Sequence, residues 1–249
     1  MPFHDVMIAY ADIILTTQHH KQISPGVFIA LFVGFIIIGA IFSYIREKKR
    51  REALQLIAGR LGLSFSRDKD RSLAGRYGFL NKLDRGRNRY AYNVMQGTAT
   101  DGSPVCLFDY HYETKSRDSK GRTKTNHYYF SVFALTLPQE FPELIIEPEG
   151  FFAKIAQALG FDDIDFESVE FSKRYKVKSP DKKFAYDVCN AQMIDYLLRQ
   201  ENLAIELESN VLAMIFRGRM KPDNVEPNYQ RLQKIRSLMP NYLFTGQPA

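Results

Sequence analysis

The sequence contains no Walker A loop, no GxGxxG, no CxxC, no HExxH and no GxSxG. These absences remove the motif-borne routes to nucleoside-phosphate binding, dinucleotide binding, thiol redox chemistry, zinc proteolysis and α/β-hydrolase catalysis. Cysteine is scarce. Cys106 and Cys189 stand apart without metal-ligand spacing, and both are expected to be free, buried thiols of a reducing cytoplasm. No Asn-x-Ser/Thr site occurs. Positive charge is nearly missing from residues 1–25, which hold Lys21 alone, so a cleaved secretory signal lacks its usual basic start.

What the chain does have is a long run without charge, Gly26 to Ile45, followed at once by Arg46, Glu47, Lys48, Lys49, Arg50 and Arg51. A helix of that length spans roughly 30 Å, the thickness of a bilayer's hydrocarbon core. Ser24 and Pro25 supply a helix start. The cations Arg46, Lys48, Lys49, Arg50 and Arg51 anchor the inner mouth, which by the positive-inside rule leaves the N-terminus outside and residues 46–249 in the cytoplasm. Residues 1–25 are expected to form a short extracytoplasmic or interfacial segment, 26–45 a transmembrane helix and 46–62 a basic juxtamembrane helix. Residues 63–249 are expected to form the cytoplasmic domain. The formal charge is +6 overall; residues 1–45 contribute −1, leaving +7 on the remainder. Proximity to an anionic leaflet accounts for a basic balance of that size.

Leu54, Ile57, Ala58 and Leu61 repeat at helical spacing up to Gly62, which closes the helix. Residues 64–89 read as irregular connection with one short strand near Tyr77–Leu80. The period then becomes two: Tyr90–Thr98, Val105–Glu113 and His127–Leu137 are strands, the first pair joined by the turn Thr100-Asp101-Gly102-Ser103. Thr114–Asn126 reads as a hydrophilic hairpin loop. Pro138 and Pro142 are expected to stop the third strand, with a short strand at Leu144–Glu147. A helix follows around Phe152–Leu159, then a strand Glu170–Lys178, and then a helix Lys182–Leu198 broken near Asn190. Two strands, Ala204–Glu208 and Leu212–Arg217, meet at a tight turn at Ser209-Asn210, and a last helix covers Tyr229–Leu238. This order gives an α+β domain: a mainly antiparallel sheet with packed helices.

The succession DYHYET, a Lys/Arg-rich loop, LPQEFPELIIEPEGFFAKI, GFDDIDF, EFSKRYKV and RGRMKPDN, within residues 105–225, resembles a family of bacterial inner-membrane proteins. These have one membrane helix, a cytoplasmic α+β domain and no assigned activity. The resemblance implies that setting and carries no functional residue.

Two clusters could carry chemistry. Asp162, Asp163 and Asp165 lie in one acidic run with the carboxylate oxygens a hard cation wants, though without the spacing of an EF-hand. Asp109, His111 and Glu113 share one face of a strand, and pairing across the hairpin brings His127 beside Glu113. Two imidazoles and two carboxylates suit Zn²⁺ or Fe²⁺. Either cluster could serve a metal-dependent hydrolase; a solvated turn or cross-strand polar pairs explain the same residues. A Ser–His–Asp arrangement would have only His111 and His127 as its base. Lys115, Arg117, Lys120, Arg122 and Lys124 face Asp118 alone in the hairpin loop, and Arg174 and Lys176 line the outer face of the strand Glu170–Lys178. Tyr128, Tyr129 and Tyr175 among those cations fit single-stranded nucleic acid, but no RNP-type motif accompanies them. The leading expectation is a membrane-anchored interaction module without a cofactor, binding a protein partner or anionic lipid headgroups through these basic surfaces.

Overall fold

A computed structural model describes residues 25–119, 121–149, 163–201 and 203–245. The expected N-terminal segment, the helix at 152–159, Lys120 and Asp162 lie outside the described residues. The chain divides into Met1–Lys49 and Arg50–Ala249.

In the first unit runs the apolar part of helix α1 (Pro25–Arg60). It is long and apolar enough to cross a membrane, and none of its most apolar stretch is buried. Phe28, Ile29, Leu31, Phe32, Phe35, Ile38 and Phe42 are all exposed.

The last turns of α1 open the second unit. Leu54, Ile57 and Ala58 are buried at the i, i+3, i+4 spacing of one apolar face. Gly62 ends the helix at φ 70°. Its N–H donates to the Gly59 carbonyl at 3.2 Å and the Leu63 N–H to the Ala58 carbonyl at 2.8 Å, a Schellman closure.

A six-stranded antiparallel sheet follows: β1 (Ser64–Ser66), β2 (Arg87–Thr98), β3 (Pro104–Arg117), β4 (Thr123–Pro148), β5 (Tyr175–Lys178) and β6 (Ile205–Arg217). The pairing order is β1-β2-β3-β4-β5, with β6 also on β4. At Ile145 the partners are Lys178 of β5 and Glu206 of β6, so β4 carries neighbours on both edges. Alternate residues feed two cores. Val105, Leu107, Phe133 and Leu135 join the larger one with Leu54 and Ile57 of α1 and the helices α3 (Val169–Arg174), α4 (Lys182–Val188), α5 (Ala191–Leu198) and α6 (Pro222–Leu238). Cys106, Phe108, Tyr110, Val132 and Ala134 face the smaller core, closed by α2 (Arg71–Arg76) and by Tyr77, Leu80 and Leu83. A four-residue helix, α7 (Tyr242–Thr245), ends the described chain. The α+β architecture with a mainly antiparallel sheet is as expected. Both cysteines are free and buried.

Five local expectations are corrected. Residues 64–89 hold β1 and α2 rather than one strand at Tyr77–Leu80; Asp70 caps α2 by accepting from the Leu73 N–H at 2.7 Å. The hairpin loop is mostly strand, because Lys115, Ser116 and Arg117 pair with Thr125, Lys124 and Thr123. β4 continues through Pro138 and Pro142, since the ladder shifts register between Thr136 and Phe141 and again before Leu144. Such irregularities are where a strand tolerates a residue without an N–H. Ser209 sits at φ 52° inside a single strand β6, a bulge rather than a reversal. Glu170–Arg174 is helical, capped by Ser168, with only Tyr175–Lys178 extended. The break at Asn190 is as expected: its side chain caps α5, accepting from the Gln192 and Met193 N–H groups.

Candidate functional site

Of the residues singled out by pattern, the structure gathers His111, Glu113 and His127. Glu113 of β3 stands directly opposite His127 of β4, and His111 lies two residues along β3 on the same face. His111 Nε2 is 3.1 Å from His127 Nδ1, and His127 Nδ1 is 3.5 Å from Glu113 Oε1. Their ligating atoms all lie within 4.8 Å of one another. His111 is buried, and the His127 side chain is 50% exposed, so the cluster opens to solvent on one side.

Neighbours fix these groups. The Asn88 side-chain amide donates to Glu113 Oε1 at 2.8 Å, and the Asn88 carbonyl lies 3.3 Å from His111 Nδ1. An Nδ1–H donated there leaves the Nε2 lone pair of His111 aimed at the cluster. Tyr90 stacks on the His111 ring at 4.6 Å, Tyr129 packs on it at 5.0 Å, and the Lys69 ammonium sits 4.5 Å from the Tyr90 ring centre. Burial holds the pKa of His111 below the ordinary histidine value. The Asn88 hydrogen bond holds Glu113 below the ordinary carboxylate value. Burial thus favours neutral imidazole at His111, and the Asn88 amide favours the ionised form of Glu113.

Asn88 reaches both partners because β2 shifts register between Arg87 and Tyr90 and Asn88 itself adopts φ 50°. Just before it, Gly86 (φ 63°) lies so close to β3 that a Cβ would overlap the Glu113 carbonyl oxygen and come within 2.6 Å of Tyr112 Cδ2. Replacing Gly86 by alanine is expected to cost about 2–4 kcal/mol in denaturant unfolding. Gly102→Ala, where the added Cβ meets nothing at φ 84°, should cost only about 1 kcal/mol. Equal losses at the two positions would refute this close-approach role for Gly86.

Asp109 does not join the cluster. Its carboxylate is buried and accepts from Arg50 (3.0 Å), Asn93 (2.8 Å) and the Met220 N–H (2.6 Å). Burial pushes its pKa up while Arg50 and these donors pull it down. Arg50, expected among the anchoring cations, turns inward instead, also donating to the Met220 carbonyl at 3.0 Å. Arg46, Lys48, Lys49 and Arg51 lie on α1. In the acidic run, Asp163 lies 3.6 Å from both the Lys176 and Lys178 ammonium groups, and Asp165 accepts from Tyr186 through its backbone carbonyl at 3.1 Å. Lys176 also lies 3.5 Å from Glu149. Arg174 donates to the Leu198 and Gln200 carbonyls from the end of α3, so it does not line a strand face.

Lys115, Arg117, Arg122 and Lys124 lie at the β3–β4 ribbon. β2 pairs with β3 only as far as Glu113, and β6 with β4 only as far as Phe130. Beyond these points residues 114–117 and 123–126 pair with each other, and their outer edges pair with no strand among the described residues. Lys115, Arg117 and Lys124 are exposed there, and Arg122 lies 2.9 Å from Asp118 inside the turn. Pattern alone missed Asn88, Tyr90 and Lys69, because none belongs to a recognisable spacing. It also missed a buried triad on the sheet: Lys82 Nζ lies 2.7 Å from Glu147 and 3.4 Å from Glu206.

No protein-family model matches this chain, and no curated protein matches it. Among solved structures, the crystal structure of the mycobacterial trehalose monomycolate transport factor A, TtfA, superposes with a TM-score of 0.56 at 13% identity. The match covers 76% of this chain and 92% of that one. At that identity the likeness is one of fold: the sheet and its helices are an architecture that TtfA shares.

Proposed function

We propose that the chain is a single-pass protein of the bacterial inner membrane, N-terminus outside, whose second unit is a cytoplasmic interaction module. Its docking element is the β3–β4 ribbon, which takes an anionic surface, either an acidic segment of a protein partner or lipid headgroups. The ribbon's form carries this reading: two strands bearing Lys115, Arg117 and Lys124, whose outer edges pair with no strand among the described residues. Unpaired edges offer backbone groups for strand addition, and the cations bias the choice of partner. The uncovered apolar part of α1 supports membrane attachment, because that surface is stable only in lipid or under a partner. The fold shared with a protein named as a transport factor supports a role in handling other molecules at a membrane.

A photo-crosslinking amino acid placed at Asn126 of the full-length protein, in its native membrane, tests the assignment. The expected result is a discrete adduct, to one protein or to lipid. It should fall at least about tenfold when Lys115, Arg117, Lys120, Arg122 and Lys124 are all replaced by serine. Loss of the adduct should leave the melting temperature unchanged. An adduct of undiminished yield, or none at all, would overturn the ribbon's role.

A further inference from the structure

We infer that His111, Glu113 and His127 form a binding site for a Zn²⁺-class divalent ion at the root of the ribbon. This inference stands apart from the docking role proposed above. Nitrogen and oxygen ligands of zinc lie 2.0–2.2 Å from the metal, so neighbours in a tetrahedral set are about 3.3 Å apart. Here two of the three ligand edges, 3.1 and 3.5 Å, lie near that spacing, and the third is within 4.8 Å. Two imidazoles and a carboxylate are the donor set that suits zinc over magnesium or calcium.

Outer contacts reinforce the assignment. A zinc-bound histidine ordinarily gives its other ring N–H to a carbonyl or carboxylate, and His111 Nδ1 has the Asn88 carbonyl in that place. The same residue's side chain donates to Glu113 Oε1 at 2.8 Å, steadying the third ligand. One residue, held at φ 50°, thus orients two ligands from the neighbouring strand. His127 arrives from β4, so an ion would tie β3 to β4 where the sheet gives way to the free ribbon. The exposed side of His127 leaves a fourth position for water or a donor from outside the chain.

The test uses untagged full-length protein in detergent, with His4, His19 and His20 replaced by glutamine, because those histidines could also bind metal. Co²⁺ serves as the probe. One equivalent is expected to give the visible absorption of a tetrahedral site, bleached when Zn²⁺ is added. His127→Ala, at a half-exposed position, should weaken Co²⁺ affinity by about a hundredfold with an unchanged circular dichroism spectrum. Asn88→Gly tolerates the positive φ and touches no ion, yet should weaken it about tenfold by releasing His111 and Glu113. No saturable Co²⁺ band in the parent protein would overturn the inference, as would a band unaltered by His127→Ala.

Discussion

Lys82→Met is expected to destabilise the folded unit by about 3–5 kcal/mol, the cost of stripping the counter-charge from buried carboxylates. The Lys82, Glu147 and Glu206 side chains are 3%, 6% and 4% exposed, and the single ammonium faces both acids. Glu143 and Glu208 stand close by. Burial, with Glu143 and Glu206 adding repulsion, raises the Glu208 pKa to about 7. Burial also lifts Glu206 to about 7, Lys82 opposing it. The sign follows from linkage. A carboxyl whose folded pKa exceeds its unfolded value near 4.5 holds its proton better when folded. No penalty exists below pH 4.5; it accrues as the pH rises and levels off above pH 7. Two and a half pK steps correspond to about 3 kcal/mol. Glu206→Gln, which needs no proton, should therefore gain stability relative to the parent as the pH rises from 5 to 8. Denaturant midpoints for the parent, Glu206→Gln and Lys82→Met at both pH values check this. A Glu206→Gln difference that does not move with pH would rule out the buried proton.

The second large effect is expected at Asp109. Asp109→Ala leaves the Arg50 guanidinium, the Asn93 amide and the Met220 N–H without their shared acceptor, and should cost about 3–5 kcal/mol. Asp109→Asn keeps the shape and one acceptor oxygen and should cost less. If the loss runs mainly through the Arg50 contact, adding Arg50→Met to Asp109→Ala should cost less than the sum of the two single changes, a coupling of about 1–3 kcal/mol. Strict additivity of the two changes would show that they do not act through each other. A loss under about 1 kcal/mol for Asp109→Ala would dismiss the network as structural support.

Local patterns and short-range pairing are legible in the residues themselves. The apolar face Leu54, Ile57, Ala58 and the stop at Gly62 follow from periodicity and backbone preference. So does the β3–β4 pairing that sets Glu113 opposite His127, which made three of the four suspected ligands visible. Asp109 eluded that reasoning because its partner, Arg50, comes from a helix 59 positions earlier, and strand alternation says nothing of what packs above. The Lys82 triad joins residues 65 positions apart and was invisible for the same reason. Elsewhere a correct local rule was outweighed by tertiary structure. Pro138 and Pro142 end an ideal strand, but β4 passes them by slipping register against β6. Residues 170–174 alternate like a strand, yet Ser168 caps a helical turn and Phe171 alone fills the core there.

The length of β4 has a consequence for how the protein is made. This strand of 26 residues takes β3 and β5 along one edge and β6 along the other. The β6 edge includes the apolar stretch from Phe130 to Leu135, and its partner is not complete until Arg217 leaves the ribosome. While roughly seventy further residues are translated, that row of amides and carbonyls stays unmated. Nascent chains crowded on one polysome could then zip edge to edge. Chains cut short before β6 should accordingly gather as insoluble deposits, whereas those reaching Leu238 should not.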